Sequence, residues 1–546
     1  MRLNYCYNFK NNIRFFINIE NILSTINIDD RKISWTEPFI FRIRKDSNSY
    51  RTLKVPNIYN FLYALEYYKN KPAPLNLDMN NLLSLDQKKR MKISPKLGEF
   101  KVNSYSENQA KDYNQLIKYD YLIRMDIKSF YNNLYTHYIF KEYDNDYYTD
   151  KPLSYMNNGR TGGIIMGNYL SLYFAELFSS FISSELINEL EEPIQNIDFD
   201  FTYFSDDFYF FCYEKDIEKV KKIFDKVLEK YNLEKNEDKI EIINYLEYTK
   251  QDVVEKYWKI MSKKINNNRF YIDNVNSRRR EEGLEELRYN NISFTNQLIY
   301  RVIKINDYKK EKVFIVNFFK SKFFNMIDFT RDYFSEYNYH QICYIIKEYP
   351  EAILYMNNIL DNFNIFQSTM FKENILNFYN SSLEKNYNDE QLYYFILLVK
   401  LNYLDKIKIR EYQEKIIKTD NQLLISYYIM YNFFDDDIYT KLLNDKKECY
   451  WFVYYNILLY RPEKFDGVNN AIEEYLNPVK AKENEEKKMA YYNFYKDNID
   501  SGVKILNNIE EVGTEVNNYL RLKWIFNKDN IDEETEKYYN LVDEEL

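Results

Sequence analysis

Nine glycines serve a chain of 546 residues, and four of them, Gly159, Gly162, Gly163 and Gly167, crowd into one short stretch. Prolines number only 10. With so few residues that bend or break the backbone, most of the chain must run in long elements. An aromatic share of 18% supplies the bulk to pack them. Where glycine does concentrate, the backbone has to take φ > 0 or approach another group closely. The cluster ends at Asn168, a good N-cap for the helical spacing of Leu170, Phe174, Leu177, Phe178 and Phe181. A glycine-rich approach into a helix suits a nucleotide or nucleic-acid strand as its floor, and equally a purely structural loop.

Residue counts exclude several classes of chemistry. His137 and His340 are the only histidines, too few for zinc fingers or most histidine-based hydrolytic sites. Cys6, Cys212, Cys343 and Cys449 lie far apart without metal-type spacing, which predicts reduced thiols in an intracellular compartment. The N-terminus has no uninterrupted apolar core of a signal peptide, and no run approaches the roughly 18 apolar residues of a membrane helix. The expectation is a cytoplasmic protein with no membrane partner. A net charge of -9 argues against coating by nucleic acid, so a polyanion would need a local basic groove. One basic stretch, Phe41-Arg42-Ile43-Arg44-Lys45 followed by Arg51 and Lys54, stands out, although a solvated charged hairpin would look the same.

Along the chain the pattern changes character. Tyr121 to Met125 reads as a buried strand, and Ile197, Phe199 and Phe201 alternate with Asp198, Asp200 and Thr202 as a half-buried one. A tight turn at Ser205-Asp206 then leads into a second apolar strand, Phe208 to Tyr213. Further on, helical patterns recur at intervals of roughly 30 residues, among them Leu392/Phe395/Ile396/Val399, Leu424/Tyr427/Tyr428/Tyr431 and Trp451/Tyr454/Tyr455/Leu458. Helices recurring this way suggest an α-solenoid, without a repeat at the sequence level. The fold class is α+β, with expected divisions at 1–115, 116–275 and 276–546.

Asp126 closes an apolar strand, and Asp206-Asp207 occupy the turn of an apolar hairpin 80 residues later. Carboxylates at such places are accessible yet rigidly held. Brought together on adjacent strands, the three would make a cage for two Mg²⁺ about 3.5–4 Å apart, the arrangement that clamps an in-line phosphoryl displacement. An Asp-Asp turn on its own is ordinary turn chemistry.

Taken in order, these segments resemble the reverse transcriptase family. Arg51-Thr52-Leu53-Lys54-Val55-Pro56 looks like its fingers motif, and Asp126 with Tyr131 like palm motif A. Gly163-Ile164-Ile165-Met166-Gly167-Asn168-Tyr169-Leu170-Ser171 resembles motif B. Phe204-Ser205-Asp206-Asp207 resembles motif C, and Leu233, Asn236 and Lys239 motif D. The resemblance implies that Arg51 and Lys54 hold the incoming triphosphate and that Tyr131 is the steric gate against a ribose 2′-OH. It implies that Gly167 and Asn168 place sugar and base, and that Lys239 protonates the leaving pyrophosphate. Metal ligands would be Asp126, Asp206, Asp207 and the Ile127 carbonyl, holding two Mg²⁺ or, in their place, Mn²⁺. His137 is expected to be a structural helix residue, since a two-metal mechanism needs no histidine.

Within that family the chain is most similar to the abortive-infection reverse transcriptases of the AbiK and AbiA type. The similarity rests on Lys54-x-Pro56-Asn57-x-Tyr59, Ser129-Phe130-Tyr131 leading to Leu134-Tyr135-Thr136-His137, and Gly167-Asn168-x-Leu170-Ser171 ending in Glu176-Leu177. AbiA-type chains carry a C-terminal HEPN segment with an Arg and a His a few residues apart. Here His340 has its nearest preceding arginine at Arg331, which favours the AbiK-like branch.

The resemblance implies right-hand polymerase fingers and palm followed by an all-α, HEAT-like repeat domain. It further implies antiphage defence through untemplated, protein-primed synthesis from dNTPs. The single-stranded DNA product would stay covalently attached to a homo-oligomer answering a phage-encoded trigger. Two departures bear on templating: Ile165-Met166 stand where relatives have Pro-Gln before the motif B glycine, and Phe204 stands where motif C begins with Tyr. An RNA-templated reverse transcriptase and a non-catalytic helical scaffold with a vestigial palm are the alternatives.

Overall fold

The computed structural model describes residues 9–22, 32–46, 49–69, 88–90, 93–94, 99–100, 104–140, 150–190, 197–251, 276–284, 308–320, 336–356 and 368–528. Cys6 and the expected boundary at 275 lie outside them. Among the described residues there are eight strands: β1 Phe39–Arg44, β2 Tyr50–Val55, β3 Ile93–Ser94, β4 Glu99–Phe100, β5 Tyr121–Asp126, β6 Phe199–Phe204, β7 Asp207–Cys212 and β8 Glu241–Ile243. Together with a large helical C-terminal part they make a mixed α/β protein.

Two compact units divide the chain. The first contains residues up to Phe41, then Thr52–Tyr245 and Lys408–Leu546, and the second contains Arg42–Arg51 and Leu246–Ile407. This division departs from the linear one read from the sequence, because the segment after Lys408 belongs with the sheet rather than with the preceding helices.

The centre of the first unit is an antiparallel sheet of order β6-β7-β5-β8. Side chains alternate between its faces, and directly paired residues share one. Ile123, Met125, Phe201, Tyr203, Phe208 and Phe210 are all buried, which defines the apolar face. Phe208 and Phe210 pack their rings on Phe224 of the helix Ile217–Glu229. The helix Tyr169–Leu190 is anchored where Ser179 Oγ donates to the Ser205 carbonyl at 2.8 Å. The opposite face carries the pairs Asp126/Asp207 and Arg124/Tyr209. Beside β6, Lys89 bridges Tyr203 in parallel and Arg90 stacks 3.9 Å from the Tyr209 ring centre.

Among the described residues, one helix, Tyr169–Glu189, is long and apolar enough to cross a membrane, and 78% of its apolar window is buried. Its hydrophobicity is that of a core helix, apolar all round because it is enclosed all round.

Aromatic side chains join the N-terminal segment to the C-terminal helices of the same unit. Phe39 packs on Trp451 and Phe452, and Tyr59 on Tyr491 and Phe494. Tyr491 donates its hydroxyl to Asn60 Oδ1 at 2.6 Å, and Tyr495 donates to Asn57 Oδ1 at 2.9 Å. Backbone bonds extend the junction, with Asn18 N–H to the Ile505 carbonyl at 2.8 Å and Asn507 N–H to that of Phe16 at 2.9 Å.

In the second unit, Arg44 ion-pairs with Glu390 at 3.1 Å and lies over the Tyr308 ring, while Arg42 N–H donates to Asn388 Oδ1 at 2.7 Å. Half-buried Glu351 is flanked by Lys312 at 3.5 Å and Lys320 at 3.6 Å.

Helices of the C-terminal part end on left-handed residues that are not glycine: Asn386, Asn402, Asp420 and Asn432 all have φ between 52° and 58°. Asn and Asp are the side chains that tolerate this conformation, so a glycine-poor chain can still stop its helices. Between such stops, Asn388–Lys400, Gln422–Met430 and Trp451–Tyr460 are buried nearly throughout, whereas Arg410–Lys418 and Asp436–Asn444 bury one face.

Candidate active site

Asp126 ends β5 and Asp207 begins β7, and the two are direct cross-strand partners. Their side chains therefore leave the same face of the sheet, with Cβ atoms about 5 Å apart. Asp206 sits in the two-residue turn between β6 and β7, made possible by Ser205 at φ 54°. The turn is fastened from behind by the Ser179–Ser205 hydrogen bond and from the side by Ile127 N–H, which donates to the Asp206 carbonyl at 3.0 Å. As a result, one carboxylate oxygen from each of Asp126, Asp206 and Asp207 lies within 4.8 Å of the others.

Three acidic groups this close cannot all stay ionised without a cation. Burial, followed by the charges of Asp206 and Asp126, pushes the Asp207 carboxyl up to about 7, against a smaller opposing effect of Lys239. Lys239 donates to Asp126 Oδ2 at 2.7 Å and Asn236 Nδ2 donates to the same oxygen at 3.2 Å. Asn236 N–H also binds the Asp126 carbonyl at 2.7 Å, and Ile127 bridges Lys235, so this segment runs as an extra edge along the end of β5. The donor set is all carboxylate oxygen with a surplus of negative charge, which fits a hard divalent cation such as Mg²⁺ or Mn²⁺.

The glycine-rich loop folds against both β2 and the segment after Asp126. Ile164 N–H donates to the Tyr131 carbonyl at 2.8 Å and Gly163 N–H to that of Leu134 at 2.9 Å. Gly163 has φ +84°, and a Cβ there would come within 2.6 Å of the Asn132 carbonyl oxygen. Gly167 has φ +137°, with Lys54 O at 3.1 Å from the site of a Cβ. Lys54 N–H in turn donates to the Met166 carbonyl at 2.7 Å. Tyr131 is half-buried in the short helix Phe130–Asn133.

Asn168 departs from the expected sugar or base contact. Its side chain is 1% exposed, and its Oδ1 accepts from Ser171 N–H at 2.8 Å as the N-terminal cap of the long core helix. Arg51 is exposed on β2 and belongs to the second unit, whereas Lys54, three residues on, belongs to the first. His137 pairs with Asp150 at 3.1 Å, and Asp150 also accepts from Thr136 Oγ1 at 2.9 Å.

Sequence reasoning missed Asn157 and Arg160. Asn157 Oδ1 accepts from the Lys54 ammonium at 3.1 Å, and Arg160 lies close enough to act on the Lys54 charge. Both stand in the glycine-rich segment, where Asn and Arg carry no periodic signal.

No family model matches the chain, and no curated protein matches it. Among the solved structures with a partial likeness are telomerases. Apo telomerase from Candida tropicalis truncated from its C-terminal domain is 20% identical over 38% of this chain and 50% of that one, with a TM-score of 0.28. Telomerase from Candida albicans in complex with the TWJ fragment of telomeric RNA is 16% identical over 41% and 44%, at 0.29. Apo telomerase from Candida tropicalis is 16% identical over 73% and 70%, at 0.31. The chain thus spans half or less of the first two.

Proposed function

We propose that the chain is a nucleotidyltransferase of the reverse transcriptase kind, which extends DNA from deoxynucleoside triphosphates. The observation that carries this reading is the convergence of Asp126, Asp206 and Asp207 at the end of an antiparallel sheet, with their oxygens within 4.8 Å. Asp126, Asp206, Asp207 and the Ile127 carbonyl would hold two Mg²⁺, which when bound supply charge neutralisation for an in-line displacement.

The chain's own groups do the rest by positioning. A primer hydroxyl displaces pyrophosphate from the α-phosphorus of the incoming nucleotide. Lys54 binds the triphosphate, and Lys239 gives its proton to the departing pyrophosphate. Tyr131 closes the space beside the sugar 2′ carbon, and Gly167 lets the loop backbone approach the nucleotide. Asn168 acts indirectly, holding the end of that loop as a helix cap.

In its finer form the proposal is an antiphage enzyme of the abortive-infection type. Its fingers and palm would precede a HEAT-like helical part, and a homo-oligomer would make untemplated DNA on a protein hydroxyl. Ile165 and Met166 at the motif B position support untemplated synthesis, since neither offers a polar group to a template strand.

The test is incubation of the full chain with labelled dNTPs and Mg²⁺ but no template or primer, beside an Asp206→Ala/Asp207→Ala control. Label that stays on the protein, is released by DNase and is absent in the control is the expected result. Synthesis only after RNA is added would replace the untemplated form with a templated one. No incorporation under any condition would leave a helical scaffold.

A further inference from the structure

Lys54 is held at both ends by a single loop. Its N–H binds the Met166 carbonyl at 2.7 Å, and its ammonium binds Asn157 Oδ1 at 3.1 Å. Asn157 is 4% exposed, and its Nδ2 donates to the Gly163 carbonyl at 3.3 Å, which fixes which way the carboxamide points. The turn after Asn157 presents Arg160, whose N–H donates to the Asn157 carbonyl at 3.1 Å. That turn is rigid. Gly159 N–H binds the Ser154 carbonyl at 2.8 Å, Asn158 N–H binds that of Thr36 at 3.0 Å, and Gly159 has φ +72°. A Cβ on Gly159 would come within 2.7 Å of the Trp35 indole, so the turn rests directly on that ring.

Arg160 is exposed, and among the described residues its guanidinium has neither a hydrogen bond nor an ion pair. Burial first, and Arg160 second, hold the Lys54 ammonium below its usual range, with exposed Glu37 partly offsetting them. Two cations, one on β2 and one on the fixed loop that holds it, in a chain of net charge -9, are a local concentration of positive potential. A guanidinium can bind a phosphate through two parallel N–H bonds, and an ammonium adds a point charge beside it.

We propose that Arg160 and Lys54 together form a two-cation seat for the phosphates of the incoming nucleotide, with Asn157 as the positioning residue that aims Lys54 into it. The identity of the anion rests on the polymerase reading above. The seat itself rests on the loop.

The probe is inorganic tripolyphosphate, titrated calorimetrically into the full chain without divalent ions. Wild type should bind it, and Arg160→Ala should weaken binding roughly 10- to 100-fold, as removal of charge-assisted hydrogen bonds does. Arg160→Lys should restore part of the loss, and Asp206→Ala/Asp207→Ala should leave binding intact or strengthen it. In the incorporation assay, Arg160→Ala and Asn157→Ala should raise KM for dNTP by a comparable factor with a smaller change in kcat. No tripolyphosphate binding by wild type, or equal binding by Arg160→Ala, overturns the seat. Incorporation with an unchanged KM in Arg160→Ala overturns it while leaving the polymerase reading in place. Arg160-dependent binding in a protein that incorporates nothing upholds the seat and removes the polymerase reading.

Discussion

The Lys239 ammonium lies 2.7 Å from Asp126 Oδ2, so one of the oxygens a metal ion would use already has a cation on it. Lys239 is 54% exposed, which makes that attraction weak and easily exchanged. In the proposed reaction it would compete with Mg²⁺ for Asp126 and serve as the proton donor once pyrophosphate leaves. Lys239→Ala should lower the Mg²⁺ concentration for half-maximal incorporation a few-fold and cut kcat by about 10²-fold, the scale of general acid catalysis. A Mg²⁺ titration of wild type and variant reads both. A rise in the Mg²⁺ requirement would show that Lys239 supports the metal site instead.

Asp207 sets the pH behaviour of the same site. Burial and its acidic neighbours raise its carboxyl to about 7 in the folded chain, from 3.8 when unperturbed. The folded state therefore favours the protonated form. That contribution is complete below about pH 4 and is lost as pH rises through 7, unless a bound cation replaces the proton. Mn²⁺ affinity should accordingly increase between pH 6 and 8. In chelator, Asp207→Asn should unfold at a temperature a few degrees above wild type at pH 8, a gain of about 1–2 kcal/mol, with a smaller gain at pH 5. Incorporation should be abolished at both. A variant less stable than wild type at pH 8 would contradict the assignment.

Much of this site is legible in the sequence because its elements obey local rules. Alternation in Phe199–Thr202 and the apolar run Phe208–Cys212 mark a hairpin, and a hairpin puts Asp206-Asp207 at its turn. Asn168 is legible as a helix cap, and the same burial that makes it a cap removes it from the substrate. The junction of Asn57, Tyr59 and Asn60 with Tyr491 and Tyr495 could not be read, since it spans more than 430 positions. With 58 tyrosines in the chain, no individual one announces a partner. For the same reason the division at 276–546 misplaces Lys408–Leu546, whose membership depends on these long-range contacts.

Two glycines of one loop should respond in opposite ways to the same change. Gly167 has φ +137° and its Cβ position is 3.1 Å from the Lys54 carbonyl oxygen, so Gly167→Ala is strained by both backbone and space. It should destabilise the protein by about 1–3 kcal/mol and reduce incorporation with it. Gly162 has nothing within 4 Å of its Cβ position and is not held at positive φ, so Gly162→Ala should be neutral or slightly stabilising. Thermal unfolding of the two variants side by side is the measurement, and equal losses would reject the loop geometry.

Tyr491 is fully buried, with its hydroxyl donating to Asn60 Oδ1 at 2.6 Å and accepting from Ser34 N–H at 3.1 Å. Tyr491→Phe removes one oxygen and leaves both partners short of a hydrogen bond inside the protein. The cost should be about 1–3 kcal/mol, more than an average hydrogen bond contributes, because the stranded groups have already given up water. Chemical denaturation should show the loss at an unchanged slope. A stability equal to wild type would mean that water reaches Asn60 and that the junction of helix Glu485–Asp500 with helix Ile58–Lys69 is looser than its packing implies.

Tyr131 provides the sharpest check on substrate choice, because its backbone and side chain do separable things. The Ile164 N–H binds its carbonyl at 2.8 Å, a bond that any residue at this position keeps. Truncating the half-buried ring should therefore leave the loop in place and open only the space beside the sugar. Tyr131→Ala should raise kcat/KM for ribonucleotides relative to deoxynucleotides by about 10²-fold, equivalent to removing roughly 2.7 kcal/mol of steric exclusion. Tyr131→Phe keeps the ring and should keep the discrimination, which separates bulk from any hydrogen bond of the hydroxyl. Competition between labelled dATP and ATP measures the ratio directly, and an unchanged ratio in Tyr131→Ala would remove the gate from this residue while leaving the metal-binding trio untouched.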